Sequence, residues 1–120
     1  ENWYIGGHSL GGCAAAMYAS ENGDRLDGVI FFSSYPVDKI DDSLVQIMIY
    51  GSEDLILDPD RLKNSHEYLS DDLNEYVMEG ANHSGFGDYG LQRGDHAGSI
   101  TNEQQQDLAV EYISDILSEH

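Results

Sequence analysis

The stretch Gly7-His8-Ser9-Leu10-Gly11 constrains the fold more than any other part of this 120-residue chain. Before it, residues 3–5 form a short aromatic and β-branched run, which is typical of a buried strand. After it, residues 13–19 carry four alanines, which is typical of a helix with a small apolar face. The sequence therefore predicts a strand, a tight turn with Ser9 at its tip, and a helix that ends at Asn22-Gly23.

A serine at the tip of such a turn stands clear of the backbone, so that a base and a substrate can both reach its hydroxyl. The pattern is that of a nucleophile elbow, with Ser9 as the candidate nucleophile. We expect Gly7 and Gly11 to leave room where a Cβ would strike the turn, and Gly12 to let the helix pack closely. The backbone N–H of Leu10 is expected to face a developing oxyanion. A glycine turn with a purely structural role is the alternative.

Two further strand candidates end at residues that could serve this serine. Residues 45–50 form a strand-like run that is followed by Gly51-Ser52-Glu53-Asp54, and residues 73–78 form another that is followed by Gly80-Ala81-Asn82-His83. The carboxyl ends of parallel strands are where active-site residues gather in open α/β sheets. Ser9, Asp54 and His83 also follow the chain order of a Ser-Asp-His triad.

Other acidic residues compete with Asp54, because Glu53, Asp58 and Asp60 lie in the same segment. Asp58 precedes Pro59, and this pair is better explained as the N-cap and first residue of a helix. We therefore assign Asp54 as the triad acid and leave the neighbouring carboxylates as alternatives.

The chain has five histidines, and two of them compete as the base. His8 is the variable position inside the elbow, His66 lies on a predicted helix, and His120 is the last residue. His83 directly follows a strand, which can hold a base rigidly, whereas His96 lies in a glycine-rich loop and is expected to be solvated or to face the substrate.

The remaining segments alternate between strand and helix patterns. Strands are predicted at 28–32, 45–50 and 73–78, and a helix at 59–69. A polar connector at 37–43 and a long structureless loop at 82–99 separate these elements. The last helix opens with a Thr101/Gln104 capping box, and its apolar residues lie on one stripe: Leu108, Tyr112, Ile113, Ile116 and Leu117. Such alternation favours an α/β fold with about four parallel strands and flanking helices.

Taken with their order, these motifs resemble the C-terminal half of an α/β-hydrolase, close to dienelactone-hydrolase-like and lipase/esterase-like bacterial proteins. The resemblance covers residues 1–120 as a partial domain, from the nucleophile elbow to the C-terminal helix, and implies that the first strands of the sheet lie outside the chain. It also implies that Ser9 is the nucleophile, Asp54 the acid and His83 the base. The segment from His83 to Gly90, running on to Gln92 and Asp95, is similar to a subgroup signature.

Dienelactone hydrolases carry cysteine at the nucleophile position, so Ser9 favours hydrolysis of a small-molecule carboxylic ester, thioester or lactone. The alternative is a non-catalytic domain that keeps the elbow as architecture. No cofactor or metal is expected, because dinucleotide, Walker and zinc-ligand spacings are absent from the sequence. Cys13 lies one helical turn after Ser9 and is expected to be a small buried apolar residue.

Acidic residues dominate the charge of the chain: 23 Asp and Glu against 5 Lys and Arg give a formal net charge of −18. This charge repels phosphate groups, so nucleic-acid binding and docking on anionic membranes are disfavoured. One cysteine excludes an internal disulfide, and no apolar run is long enough to predict a membrane span.

Overall fold

The computed structural model describes residues 2–88 and 90–119. Within this part of the chain the strands are Tyr4–His8 (β1), Gly28–Phe32 (β2), Val45–Gly51 (β3) and Asn74–Met78 (β4), and the α-helices are Leu10–Asn22 (α1), Pro59–Ser65 (α2) and Asn102–Leu117 (α3). Short 3₁₀ turns lie at Gly23–Arg25, His66–Tyr68 and Ser84–Phe86.

The strands form one parallel sheet in the order β1-β2-β3-β4 across the described residues. His8 at the end of β1 pairs with Phe32 at the end of β2, and Gly51 at the end of β3 pairs with Met78 at the end of β4. Because the strands are parallel and end in register, the loops that follow them emerge at one edge of the sheet. The predicted fold class, α/β with four parallel strands, is confirmed.

Helices cover both faces of the sheet, as a parallel sheet requires. Alternate residues of a strand point to opposite faces, and β2 follows this rule: Val29 and Phe31 pack toward α1, whereas Ile30 packs toward α3. The first layer includes Ala16, Ala19, Val29, Phe31, Met48 and Leu62, and the second includes Ile30, Ile47, Ile49, Met78 and Ala109. The sheet is thus held between α1 and α2 on one side and α3 on the other.

Two helix starts follow their predicted caps. The Asp58 carboxylate accepts hydrogen bonds from the backbone N–H groups of Asp60 and Arg61, with Pro59 as the first helical residue of α2. Thr101 and Gln104 form the predicted capping box of α3, in which each side chain accepts from the backbone of the other. Asp58 is therefore occupied with capping.

Helix α1 ends at Asn22 as predicted, but Gly23 takes a right-handed conformation (φ −56°) rather than the left-handed one of a typical glycine cap, and the chain continues into a 3₁₀ turn. Two other predictions differ from the structure. The helix predicted at 59–69 ends at Ser65 and tightens into the 3₁₀ turn at His66–Tyr68. Leu108 is 36% exposed, because α3 turns Gln105 and Ala109 toward the sheet.

The connector at 37–43, which the sequence predicts to be polar, contributes one residue to the core. Ile40 is fully buried among the residues of the first layer, and its backbone N–H donates to the carbonyl of Tyr68. A single apolar side chain thus anchors this connector to the core.

Candidate active site

Ser9 lies between β1 and α1 in a backbone conformation that few non-glycine residues adopt, with φ 57° and ψ −121°. Such a conformation costs about 1–3 kcal/mol and persists only where its surroundings enforce it. Here the Ser9 N–H donates to the Phe32 carbonyl at 3.1 Å, and the Ser9 carbonyl accepts from the Gly12 N–H at 3.0 Å and the Ser34 hydroxyl at 2.9 Å. The predicted turn is therefore present and is fixed on both sides.

The glycines of the elbow do not contribute equally. A Cβ on Gly7 would overlap the backbone of Gly11, and a Cβ on Gly12 would overlap the side chain of Ser34. A Cβ on Gly11 would meet no atom within 4 Å. The expectation that Gly11 makes room in the turn is therefore wrong, because its α-carbon faces open space at the start of α1.

We expect Gly7→Ala to lower the free energy of unfolding by about 3 kcal/mol, because the backbone that a methyl group would strike cannot yield. Gly11→Ala should raise it by about 0.5 kcal/mol, since alanine is the better helix former. Urea unfolding followed by circular dichroism measures both variants. Equal losses of stability would show that the two glycines have the same role after all.

The side chains of Ser9, His83 and Asp54 meet at the carboxyl edge of the sheet. His83 Nε2 lies 3.0 Å from Ser9 Oγ, and His83 Nδ1 lies 2.8 Å from Asp54 Oδ2. The side chains of His83 and Asp54 are 2% and 3% exposed, so water does not compete for their hydrogen bond. With an ionised Asp54, Nδ1–H donates to the carboxylate, and Nε2 is left to accept the Ser9 hydroxyl proton.

Opposing effects act on the pKa of Asp54. Burial alone would raise it, but hydrogen bonds from His83 and from the backbone N–H groups of Leu57 and Ile56 outweigh burial and hold the pKa below its ordinary value. Both backbone bonds, at 2.8 Å, end on Oδ1, whereas His83 binds Oδ2. Asp54 is therefore ionised at neutral pH, and its two oxygens have separate tasks.

The competing residues face elsewhere. Glu53 accepts from the Ser99 N–H at 3.0 Å and from the Ser99 hydroxyl. His96 is exposed, and its Nε2–H donates to the Glu53 carbonyl at 3.0 Å. Asp58 caps α2 and Asp60 is exposed. Of the candidates that the sequence left open, the structure brings Asp54 and His83 to Ser9.

A cleft of about 250 Å³ lies beside Ser9 and His83. Much of its wall is apolar or aromatic, formed by Leu10, Tyr35, Ile56 and Leu57, with Asp58 and Arg61 also at its border. Cys13 lines the cleft as well and is half-buried, with Sγ 3.7 Å from Ser34 Oγ, so the expectation that it is a buried core residue is wrong. The cleft offers an uncharged organic group a place next to the serine hydroxyl.

Within the described ranges, 2–88 and 90–119, no group of three or more His, Cys, Asp or Glu residues is placed to hold a metal ion. None of the helices in those ranges is both long enough and apolar enough to cross a membrane.

Residues 1–107 match the model of the alpha/beta hydrolase family. The chain belongs to this family. A search of curated proteins found no match. Among solved structures, the chain is similar to a crystal structure described as a predicted CIB-like hydrolase from Thermoplasma acidophilum, with a TM-score of 0.65 and 18% sequence identity. The alignment covers 95% of this chain and 51% of that one, so the chain spans about half the length of that hydrolase. This likeness shows the fold.

His8, the variable residue of the elbow, makes a contact that the sequence does not predict. Its Nε2–H donates to the backbone carbonyl of His83 at 2.6 Å, and the two imidazole rings lie 4.9 Å apart. Burial lowers the pKa of His8 below its ordinary value, and the bond to the His83 carbonyl offsets this only in part. A neutral His8 has one N–H, and that N–H binds the loop of the candidate base.

Residues of the signature-like segment also bind the loop that carries His83. Asp95 Oδ2 accepts from the Ser84 N–H at 2.8 Å and from the Ser84 hydroxyl at 2.7 Å, while Ser84 Oγ accepts from the Gln92 N–H at 2.7 Å. Tyr89, which belongs to the same segment, lies outside the described residues. Buried Gln105 on α3 also binds this loop, and no periodicity of the sequence singles it out.

Proposed function

We propose that this chain is part of an α/β-hydrolase domain that cleaves a carboxylic ester, thioester or lactone through Ser9, His83 and Asp54. One observation carries the proposal: Ser9 Oγ, His83 and Asp54 form a continuous hydrogen-bonded chain, with distances of 3.0 Å and 2.8 Å. These distances lie in the range in which a base can take a nucleophile's proton.

In the proposed mechanism the Ser9 hydroxyl attacks the substrate carbonyl carbon, and His83 Nε2 accepts the hydroxyl proton as the Oγ–C bond forms. The Nε2–H of His83 then donates that proton to the leaving group, whose bond to the carbonyl carbon breaks. Water repeats the sequence on the acyl-enzyme and releases the acid. Asp54 holds the tautomer of His83 and stabilises its cationic form, which suits a carboxylate whose pKa is held low.

The negative charge that develops on the carbonyl oxygen needs N–H donors in place before the reaction. Leu10 is the first residue of α1, so its N–H is among the donors that a helix leaves unpaired in its first turn. We assign this N–H to the oxyanion hole. The apolar and aromatic side chains of the cleft beside Ser9 support an uncharged acyl or alkoxy group as the part of the substrate bound there.

A fluorophosphonate probe tests the proposal, because it labels a serine that a neighbouring base has activated. Incubation of the folded protein should modify Ser9, and peptide mapping by mass spectrometry should find no label on Ser33 or Ser34, which line the same cleft. Denatured protein is the control. Absence of labelling from the folded, full-length protein would favour the alternative, a non-catalytic domain that keeps the elbow as architecture.

A further inference from the structure

The backbone that carries His83 is fixed at three consecutive residues by side chains from three different parts of the chain. Gln105 of α3 binds Asn82, His8 of the elbow binds the carbonyl of His83, and Asp95 of the long loop binds Ser84. Of these anchors, Gln105 is the most buried, with 1% of its surface exposed.

Gln105 binds Asn82 with both ends of its amide. Its Oε1 accepts from the Asn82 backbone N–H at 3.2 Å, and its Nε2 donates to the Asn82 backbone carbonyl at 2.9 Å. Gln105 and Asn82 are 1% and 2% exposed, so water cannot replace either bond. Paired hydrogen bonds of this kind fix the orientation of the peptide units on both sides of Asn82 as well as their position.

The contact between Gln105 and Asn82 requires a residue without a side chain at position 85. A Cβ on Gly85 would overlap Gln105 Oε1 and would lie 2.7 Å from Asn82 Oδ1. The Gly85 N–H instead donates to Asn82 Oδ1 at 2.7 Å, and Asn82 Nδ2 donates to the His96 carbonyl at 2.7 Å. Every polar group of the Asn82 and Gln105 amides named here has a partner, which makes the network rigid.

We propose that Gln105 is a positioning residue for the base: through Asn82 it sets where the imidazole of His83 lies between Ser9 and Asp54. This inference rests on the proposed function, in which His83 transfers the Ser9 proton. The Nε2 to Oγ distance of 3.0 Å and the Nδ1 to Oδ2 distance of 2.8 Å must hold together, and a base that shifts to keep one of them loses the other. A displacement of about 1 Å costs on the order of 100-fold in rate.

Gln105→Met tests the inference in the full-length protein, because methionine matches glutamine in length but forms neither hydrogen bond to Asn82. We expect kcat for 4-nitrophenyl acetate to fall by about 10- to 100-fold while KM stays within about twofold, since Gln105 does not line the cleft. The NMR resonance of the His83 Nδ1 proton, shifted downfield by its bond to Asp54, should move or broaden. A merely structural residue would lower the unfolding midpoint without changing this resonance in the folded protein.

Gln106→Met is the matched control, with the same substitution one residue further along α3. Gln106 donates to the Asp88 carboxylate at 2.9 Å near the surface and to the Gly85 carbonyl at a long 3.4 Å, and it has no bond to Asn82. Its kcat should stay within about threefold of the wild-type value. A loss of kcat in Gln106→Met as large as in Gln105→Met would overturn the inference.

Gln105→Glu is the conservative variant, which can restore the two hydrogen bonds to Asn82. It tests the positioning role even if Gln105→Met does not fold. A buried carboxyl group without a cation nearby stays protonated, so it can accept from the Asn82 N–H and donate to the Asn82 carbonyl. We expect its kcat to lie between those of wild type and Gln105→Met, and to fall again as rising pH removes that proton. A folded Gln105→Glu that keeps wild-type kcat at every pH, including the range in which the carboxyl group has lost its proton, would overturn the inference.

Ser9→Ala separates the two proposals. If it abolishes turnover and Gln105→Met retains wild-type kcat and an unchanged Nδ1 resonance, the positioning role is wrong and the proposed function stands. If Ser9→Ala retains turnover, the proposed function fails, and the positioning role fails with it.

Discussion

Ser9→Ala is expected to reduce the turnover of a short-chain activated ester by about 10⁶-fold, with a residual rate that comes from substrate binding and the oxyanion hole. Alanine has no oxygen to attack the carbonyl, and His83 has no proton to take. The measurement is hydrolysis of 4-nitrophenyl acetate by the full-length protein at several substrate concentrations, so that the loss is assigned to kcat.

The fold should survive this substitution. Serine and alanine both carry a Cβ, so the steric cost of the positive φ at residue 9 is the same for both. The hydrogen bond to His83 is lost, which costs about 1 kcal/mol of unfolding free energy. Ser20→Ala, at an exposed position near the end of α1, is the matched control and should leave turnover unchanged. Near-normal activity of Ser9→Ala would refute the assignment of the nucleophile.

Those parts of the fold that depend on local pattern could be predicted from the sequence. The strand at Gly28–Phe32 has its predicted bounds, because a continuous apolar run between polar segments is a strong signal for a strand buried on both faces. Ser9, Asp54 and His83 could be found because parallel strands place the loops that follow them at one edge. Their catalytic roles stay predictions, although the structure brings them within hydrogen-bonding distance.

Other features depend on contacts that no local pattern reveals. Gln105 looks like any polar residue of a surface helix, yet it is buried because its amide reaches the backbone of Asn82. The apolar stripe of α3 predicted Leu108 on the inner face, but the residues of α3 that are buried are Gln105 and Ala109. Gly7 and Gly11 are indistinguishable in the motif, and only the path of α1 shows which of them is confined.

Asp54→Asn should reduce kcat by about 10⁴-fold, less than the loss of the nucleophile but far more than the removal of one charge would cause. The reason lies in the two oxygens of Asp54. Oδ1 accepts from two backbone N–H groups, so the amide oxygen of asparagine will stay there and its NH₂ group will face His83. His83 must then accept at Nδ1 and carry its proton on Nε2, where it can no longer accept the proton of Ser9.

Two comparisons make the Asp54→Asn result specific. His83→Ala should lose nearly as much activity as Ser9→Ala, because a nucleophile without its base has little function left. Combining either variant with Asp54→Asn should cause little further loss of activity.

Glu53→Gln and Asp58→Asn make the same chemical change at the neighbouring carboxylates. Glu53 binds Ser99 and Asp58 caps α2, so both variants should keep activity within about tenfold of wild type. If either of these variants, or His96→Ala, loses 10⁴-fold while Asp54→Asn stays active, the acid or base has been assigned to the wrong residue. The family and the fold would be unaffected by that outcome, because both rest on the sheet and on the match over residues 1–107.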